Sequence, residues 1–369
     1  MKIGIVGLPN VGKTTLFNAL THAGAAATSY AYTSPDPNVG VVPVPDQRLW
    51  QLHEVLQTPR AIPATIDVVD IPGLAGGASQ GEGLGNAFLA AIRAVDAVVH
   101  VVRAFTSADV AHIRPNIDPL ADVELVETEL VLSDLDILER RAVKTAKSAR
   151  AGDRQAQREL AVLEPVLATL RAGRLSRFVP RDKEDAHVFR EFGLVTERPV
   201  LFVLNVDDEA AALPPSERLA PYADFVGWAR ERGDEVVAVA AKLEADLGEL
   251  DAEEAREFRA ELGATAESGL GELITAAYRL LGYLTFFTGD FKSSESRAWQ
   301  LVAGSTAREA AGRIHSDIQR GFVRAEVVPI EDLIALGSFH AAKEKGVLRV
   351  EGKDYVVKDG DVLHFRHTA

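Results

Sequence analysis

The chain has 369 residues, 47% of them hydrophobic and 25% charged, with a formal net charge of −14 and no cysteine. That balance is ordinary for a globular protein of two or three domains, and it excludes a molecule that coats nucleic acid with its whole surface, though not a local basic patch. Disulfides and thiolate metal sites are ruled out, no apolar run is long enough to span a bilayer, and the first residues lack the layout of a secretory leader, so the cytoplasm is expected, with no membrane partner.

The first element is Lys2–Val6, where Ile3, Ile5 and Val6 suit a buried strand. It leads into Gly7-Leu8-Pro9-Asn10-Val11-Gly12-Lys13-Thr14-Thr15, which satisfies G-x-x-x-x-G-K-[ST]. Two glycines let successive backbone N–H groups turn inward onto phosphate oxygens. Lys13 brings a charge to the β- and γ-phosphates, and the Thr14 hydroxyl is a ligand for Mg²⁺ arriving with the nucleotide. Asn10, Val11, Gly12 and Thr15 complete the cradle. Leu16, Phe17 and Leu20 follow at helical spacing, so the phosphates sit on a helix N-terminus.

Tyr30–Asn38 is polar and contains prolines, which disfavour helix. A hydroxyl-bearing loop one helix after a phosphate loop is where a switch segment lies, with Ser34 or Thr33 capping Mg²⁺ while the γ-phosphate is present. Val39–Val44 reads as a strand. Thr65–Asp70 is another, ending in a carboxylate able to hold a water on Mg²⁺, and Gly73 offers its N–H to the γ-phosphate. Position 74, where Ras-like GTPases carry a water-orienting Gln, is Leu74, so slow intrinsic hydrolysis is expected. Five glycines occupy 75–85 before a helix Asn86–Val95. Ala97–Val102 is a third core strand, and His112 in the loop behind it is a candidate catalytic group at the sheet edge where ligands bind.

From about 119 to 196 strands vanish. Leu125, Leu132 and Leu135 recur at helical spacing, as do Leu160, Leu163, Val166, Leu167 and Leu170 after Ala151-Gly152-Asp153. These predict an antiparallel helical hairpin inserted in the α/β domain, either an arm for a partner or a packing insert. Pro199–Asn205 returns to the core-strand pattern and ends in Asn205-Val206-Asp207-Asp208, where GTPases place N-K-x-D. Val206 replaces the base-covering Lys, Asp208 keeps the acidic position, and Asn205 can tether the loop or offer its amide to adenine. Val236–Ala240 is the last sheet strand, and Ala241 then stands like the alanine of an S-A-K base loop. Glu253–Leu281 reads as largely helical. Strands at 284–288, 296–301, 322–328 and 362–365, a single helix at 307–320, and a hairpin of 348–350 with 355–357 suggest a β-grasp fold. Its Arg297, Arg308, Arg313, Arg320, Arg324, Lys343, Lys345 and Arg349 are candidate phosphate contacts, with nothing that reads a DNA sequence.

Four stretches, Gly7–Thr15, Asp36–Asp46, Gly81–Asn86 and Glu351–Tyr355, resemble the YchF group, the Obg-like ATPases, and the likeness runs nearly end to end. The resemblance implies an α/β P-loop NTPase core of the Ras-like GTPase type over 1–118 and 197–280, an inserted helical coiled-coil arm over 119–196, and a C-terminal TGS-like β-grasp domain over 281–369. It also implies Mg²⁺-dependent ATP binding and hydrolysis, a hydrophobic residue in place of the catalytic Gln, and association with ribosomes, with RNA contact through the TGS domain. The family's base motif is usually N-x-x-E. With Asp208 in that place, ATP and GTP both stay open. The family's switch Thr falls on Ser34, His112 matches a loop His implicated in hydrolysis, and Asn10 matches an Asn of potassium-stimulated relatives, which adds K⁺ to the cofactors. The expected site is therefore Lys13, Gly73 and His112 for catalysis. Asn10, Val11, Gly12, Lys13, Thr14, Thr15, Asn205, Val206, Asp208 and Ala241 hold the nucleotide, and Thr14, Ser34 and Asp70 hold Mg²⁺. A slow, ribosome-associated switch is the leading reading. A GTP-specific Obg-type GTPase and a nucleotide-gated binding module with incidental turnover are the alternatives.

Overall fold

The structure, a computed structural model, describes residues 1–27, 38–71, 86–107, 110–111, 114, 116–182, 184–263, 269–290 and 293–368. Thr33, Ser34, Gly73, Leu74, the glycine-rich stretch after it, and His112 lie outside the described residues. Contacts divide the chain into two compact units, one drawn mainly from Met1–His22 and Val68–Leu270, the other mainly from Val41–Asp67 and Gly271–Ala369.

The first six-stranded sheet uses β1 (Lys2–Val6), β2 (Val39–Pro43), β4 (Thr65–Asp70), β5 (Ala97–Arg103), β6 (Val200–Asn205) and β7 (Glu235–Val239), with β3 (Ala61–Ile62) lying elsewhere. Its order is β2-β4-β1-β5-β6-β7. The strands β1, β5, β6 and β7 run parallel, with Ile3–Val6 beside Ala97–His100 and Val98–Arg103 beside Val200–Asn205. Every residue of β5 is buried, as a central parallel strand covered on both faces requires. Helix α1 (Lys13–Ala27) follows the phosphate loop directly. These strands lie where the apolar runs predicted them.

The inserted hairpin is formed by α4 (Pro119–Arg150) and α5 (Arg154–Arg171), counting α2 (Gln47–Leu56) and α3 (Asn86–Arg93) before them. The Asp118 carboxylate accepts from Ala121 N–H to cap α4, and Pro119 stands in its first turn, where a missing donor is harmless. Gly152 turns the chain at φ +93°, and Asp153 accepts from the N–H groups of Gln155 and Ala156 to start α5. Val131 and Leu138 of α4 share a core with Leu163, Val166 and Leu170 of α5. At the base, fully buried Asp134 accepts from Val195 N–H (3.2 Å), Thr196 N–H (2.8 Å) and the Thr196 hydroxyl (2.6 Å). This ties α4 to the segment that leads back into the sheet.

The second unit holds another six-stranded sheet, from β8 (Tyr283–Thr288), β9 (Ser296–Val302), β10 (Phe322–Pro329), β11 (Arg349–Glu351), β12 (Asp361–His367) and β3, in the order β11-β10-β12-β8-β9-β3. The helix Ala307–Ile314 packs over Phe286, Leu301, Val327 and Leu363. The expected helix 307–320 breaks at His315, whose extended backbone (φ −161°) leaves its ring to accept from Asp317 N–H and cap a separate helix, Ser316–Arg320. Two further helices, Ile330–Leu336 and Phe339–Glu344, replace the single-helix expectation. The hairpin of 348–350 with 355–357 is also not formed. Instead β11 pairs with β10, and Val356 makes an isolated bridge to Thr306. The Tyr355 hydroxyl donates to Asp361 (2.8 Å) and accepts from Arg349 (3.0 Å), so side-chain bonds take up what backbone pairing was expected to hold. Two upstream segments join this unit: α2 buries Leu49, Leu52 and Leu56, and β3 pairs with β9. A strand of two residues is too short to show alternation. None of the described helices is long and apolar enough to cross a membrane.

Candidate nucleotide site

After β1 the backbone turns through Asn10 (φ +62°) and Gly12 (φ +95°) into α1. A Cβ on Gly12 would stand 2.3 Å from Asn205 Nδ2, and one on Gly7 2.3 Å from the Val101 carbonyl oxygen. Both glycines are thus demanded by close packing as well as by conformation. Lys13 is buried, and its Nζ donates to the Leu8 carbonyl at 2.8 Å. Burial pulls its pKa below the usual lysine value, while the nearby Asp70 carboxylate opposes that pull. Among the described residues this ammonium has no ion pair, only the nearby Asp70 charge, and phosphate oxygens would supply one.

The Thr14 hydroxyl donates to Asp70 Oδ2 at 3.1 Å. A hydroxyl and a strand-end carboxylate meeting beside a buried ammonium suit Mg²⁺, a hard cation that keeps waters and shares phosphate oxygens. Thr14 would ligate it directly and Asp70 through a water. Asn10 Nδ2 donates to the Ala111 carbonyl at 3.2 Å, so its amide oxygen is the atom a K⁺ ion would take.

Beside this loop a cavity of about 640 Å³ is lined by Asn10, Gly12 and Thr15 on the phosphate side, and by Phe105, Thr106, Val206, Asp208 and Lys242 on the other. Asn205 is buried between the two. Its Nδ2 donates to the Val11 carbonyl (2.9 Å), and its Oδ1 accepts from Ala241 N–H (3.0 Å). Of the two roles open to it, these bonds give the tether. They also occupy the Ala241 N–H, and Ala241 does not line the cavity. Val206 and Asp208 do. Burial pushes the Asp208 carboxyl above its usual range, with Lys242 pulling it back down.

The wall opposite was not foreseen. Asp207 accepts from Thr106 N–H at 3.0 Å and from its hydroxyl at 3.2 Å, so it holds the loop after β5. Arg103 lies with its guanidinium 4.5 Å from the Phe105 ring centroid and donates to the carbonyls of Phe105, Ser107 and Val110. Lys242 and Asp207 were legible as neighbours of Ala241 and Asp208. Phe105 carried no signal beyond its place at a strand end. Asp207→Ala is expected to weaken nucleotide binding about tenfold, the worth of one charge-assisted hydrogen bond, as read by titration with a fluorescent nucleotide.

Behind the loop, His100 sits opposite Val6 in the β1–β5 ladder and is buried. Burial, aided by the nearby Lys13 charge, lowers its pKa to about 3. The unfolded chain takes up this proton near the ordinary value of about 6.5. The folded state is therefore at full strength above that pH and loses stability as pH falls toward 3, by about 2 kcal/mol at pH 5. Urea melts at pH 8 and pH 5 check this, and His100→Gln should flatten the difference.

Of the basic side chains proposed for phosphate contact in the second unit, most are engaged within it. Arg297, Arg320, Arg324 and Arg349 are ion-paired, and Arg313 donates to the Gln300 carbonyl.

A family model described as "50S ribosome-binding GTPase" matches residues 2–133, and the YchF GTPase C-terminal model, described as a protein of unknown function, matches 283–368. The chain is 46% identical to the "Ribosome-binding ATPase YchF" of Haemophilus ducreyi over 366 residues, covering 99% of this chain and 98% of that one. It is 44% identical to the protein of the same name from Bacillus subtilis over 364 residues, covering 98% of each. Among solved structures it is similar to the YchF GTPase of Schizosaccharomyces pombe, with a TM-score of 0.87 and 31% identity over 99% of this chain and 97% of that one. A phosphate loop tied by Asn205 to a base loop without its lysine, in a likeness that spans both units, establishes that the chain belongs to the YchF family of P-loop NTPases.

Proposed function

We propose that this chain binds ATP with Mg²⁺, hydrolyses it slowly, accepts GTP as well, and works as a ribosome-associated switch. The observation that carries this reading is the meeting of Lys13, Thr14 and Asp70 at a loop whose Asn10, Gly12 and Thr15 line a cavity of nucleotide size. Lys13 and the backbone from Asn10 to Thr15 hold the triphosphate, and Thr14 and Asp70 place Mg²⁺, with Ser34 or Thr33 as the switch ligand. Bound Mg²⁺ neutralises charge on the β- and γ-oxygens. Gly73 senses the γ-phosphate, and a polar group, taken to be His112, assists the attacking water because Leu74 has no hydrogen bond to offer it. Asn205 keeps base loop and phosphate loop in register, and Val206 and Asp208 face the base. The named relatives bind ribosomes and are ATPases, which supports both halves of the reading.

In domain terms we assign 1–118 and 197–280 to the nucleotide-binding domain, 119–196 to the arm, and 281–369 to a TGS-like domain with a capacity for RNA. Competitive titration of ATP against GTP tests base choice: ATP binding tighter than GTP is expected, and strict GTP preference would return the chain to the Obg-type GTPase reading. Asp208 is shorter than the glutamate of the family's usual motif, so the preference should be modest. Single-turnover hydrolysis is expected to quicken with ribosomes. An unchanged rate favours a binding module. Exchanging K⁺ for Na⁺ should slow turnover if Asn10 takes part in a potassium site.

A further inference from the structure

The helical hairpin distributes its charge in a way its own packing does not explain. Residues 119–139 hold seven carboxylates and no Lys or Arg, whereas 140–158 hold seven basic side chains and a single carboxylate, Asp153, in a molecule of net charge −14. Two of the seven are committed within the hairpin and its base: Arg140 pairs with Asp136, and Arg141 bonds Glu159 at 2.6 Å and lies over the Phe192 ring. The other five, Lys144, Lys147, Arg150, Arg154 and Arg158, are exposed and have no ion pair among the described residues. Lys144, Lys147 and Arg150 are three residues apart, so they climb the end of α4 in steps of about 4.5 Å. Arg154 and Arg158 continue the set across the turn on α5.

Intrahelical electrostatics account for part of this. Basic side chains near the C-terminus of α4 suit its dipole, but Arg154 and Arg158 stand at the opposite, positive end of α5, whose first turn has no acid. Five like charges without partners repel one another and favour an outside polyanion. A protein partner is the poorer match, because Val143 is the one exposed large apolar side chain among the described residues of 140–158, and protein interfaces need an apolar centre. Closely spaced cations without such a centre are suited to a phosphate backbone, bound without regard to sequence.

We infer that the hairpin tip, residues 144–158, docks on the sugar-phosphate backbone of RNA. The inference rests on the ribosome-associated reading above, which supplies the RNA.

The test uses the full chain carrying K144Q, K147Q, R150Q, R154Q and R158Q. Sedimentation with ribosomes and filter binding to naked ribosomal RNA are followed from 50 to 200 mM salt. ATP affinity and basal hydrolysis are measured on the same material. The variant is expected to keep parental ATP binding and turnover, showing a folded nucleotide site. It should bind both RNA and ribosomes about 100-fold more weakly at low salt, and the slope of log K against log salt should flatten by roughly 3 to 4. A K144R, K147R chain should bind as the parent does. Parental ribosome binding by the five-fold variant overturns the inference. So does loss of ribosomes with unchanged affinity for naked RNA, which would point to an acidic protein surface. If the parent itself binds neither ribosomes nor RNA, the ribosome reading fails together with the inference.

Discussion

Lys13→Ala is expected to weaken ATP binding about 100-fold and to bring hydrolysis to background, while leaving the ligand-free protein at least as stable as the parent. Hydrogen bonds to charged groups contribute about 1.5–3 kcal/mol each, and the Lys13 ammonium faces the most highly charged part of the ligand. Charge that grows on the phosphoryl oxygens during transfer makes the loss larger in rate than in affinity, by a further factor of about 10² to 10³. The fold does not rely on this side chain. Its burial lowers its pKa, a sign that ionisation is disfavoured there, and among the described residues its ammonium bonds only the Leu8 carbonyl. Thermal melts with and without ATP separate the two effects: ATP at about 100 times the parent's Kd should raise the parent's midpoint through linkage and move the variant's far less. A variant stabilised by ATP as strongly as the parent would refute the assignment of the phosphate loop.

Asp134→Ala is expected to cost about 3–4 kcal/mol of stability. Three donors converge on this buried carboxylate, two of them backbone N–H groups of Val195 and Thr196 that have no route to water. Truncation leaves them unsatisfied, at about 1–3 kcal/mol for each buried group. The Arg93 guanidinium, 4.0 Å away, loses its neighbour as well. Asp134→Asn keeps an acceptor and should cost less than half as much. Denaturant unfolding distinguishes these outcomes. Equal stability of the Ala variant and the parent would mean that the hairpin base is held by its apolar contacts alone.

Much of the first sheet was legible because long apolar runs such as Ala97–Val102 and Val200–Asn205 have few other ways to be buried. The phosphate loop was legible because its glycines and Lys13 have a fixed spacing imposed by phosphate geometry. The hairpin was legible through the leucines of α5 and the Gly152 turn, whereas on α4 Leu132 is exposed and Val131 and Leu138, rather than the expected leucines, are the buried positions of the hairpin core. What escaped had its cause in distant side chains. Asn205 kept two roles in the sequence, and packing against Gly12 and Ala241 gave the tether. Asp207 and Asp208 both line the cavity, and only Asp207 is spent on holding Thr106, a partner about a hundred positions earlier in the chain. The hairpin expected at 348–357 gave way to pairing of β11 with β10, and the Arg349–Tyr355–Asp361 bonds then hold the segment that follows. Asp134 is one of seven acids between 119 and 139, and only its donors at Val195 and Thr196, about sixty residues away, set it apart.

Because α2 and β3 complete a unit whose remaining members come after Gly271, the polypeptide is threaded through that unit twice. A chain stopped at 282 would strip Leu49, Leu52 and Leu56 of their cover, and a fragment begun at 283 would lack an edge strand and a helix. Neither portion is a cassette that can be lifted out, and transplanting the C-terminal part into another scaffold means carrying residues 41–67 along with it.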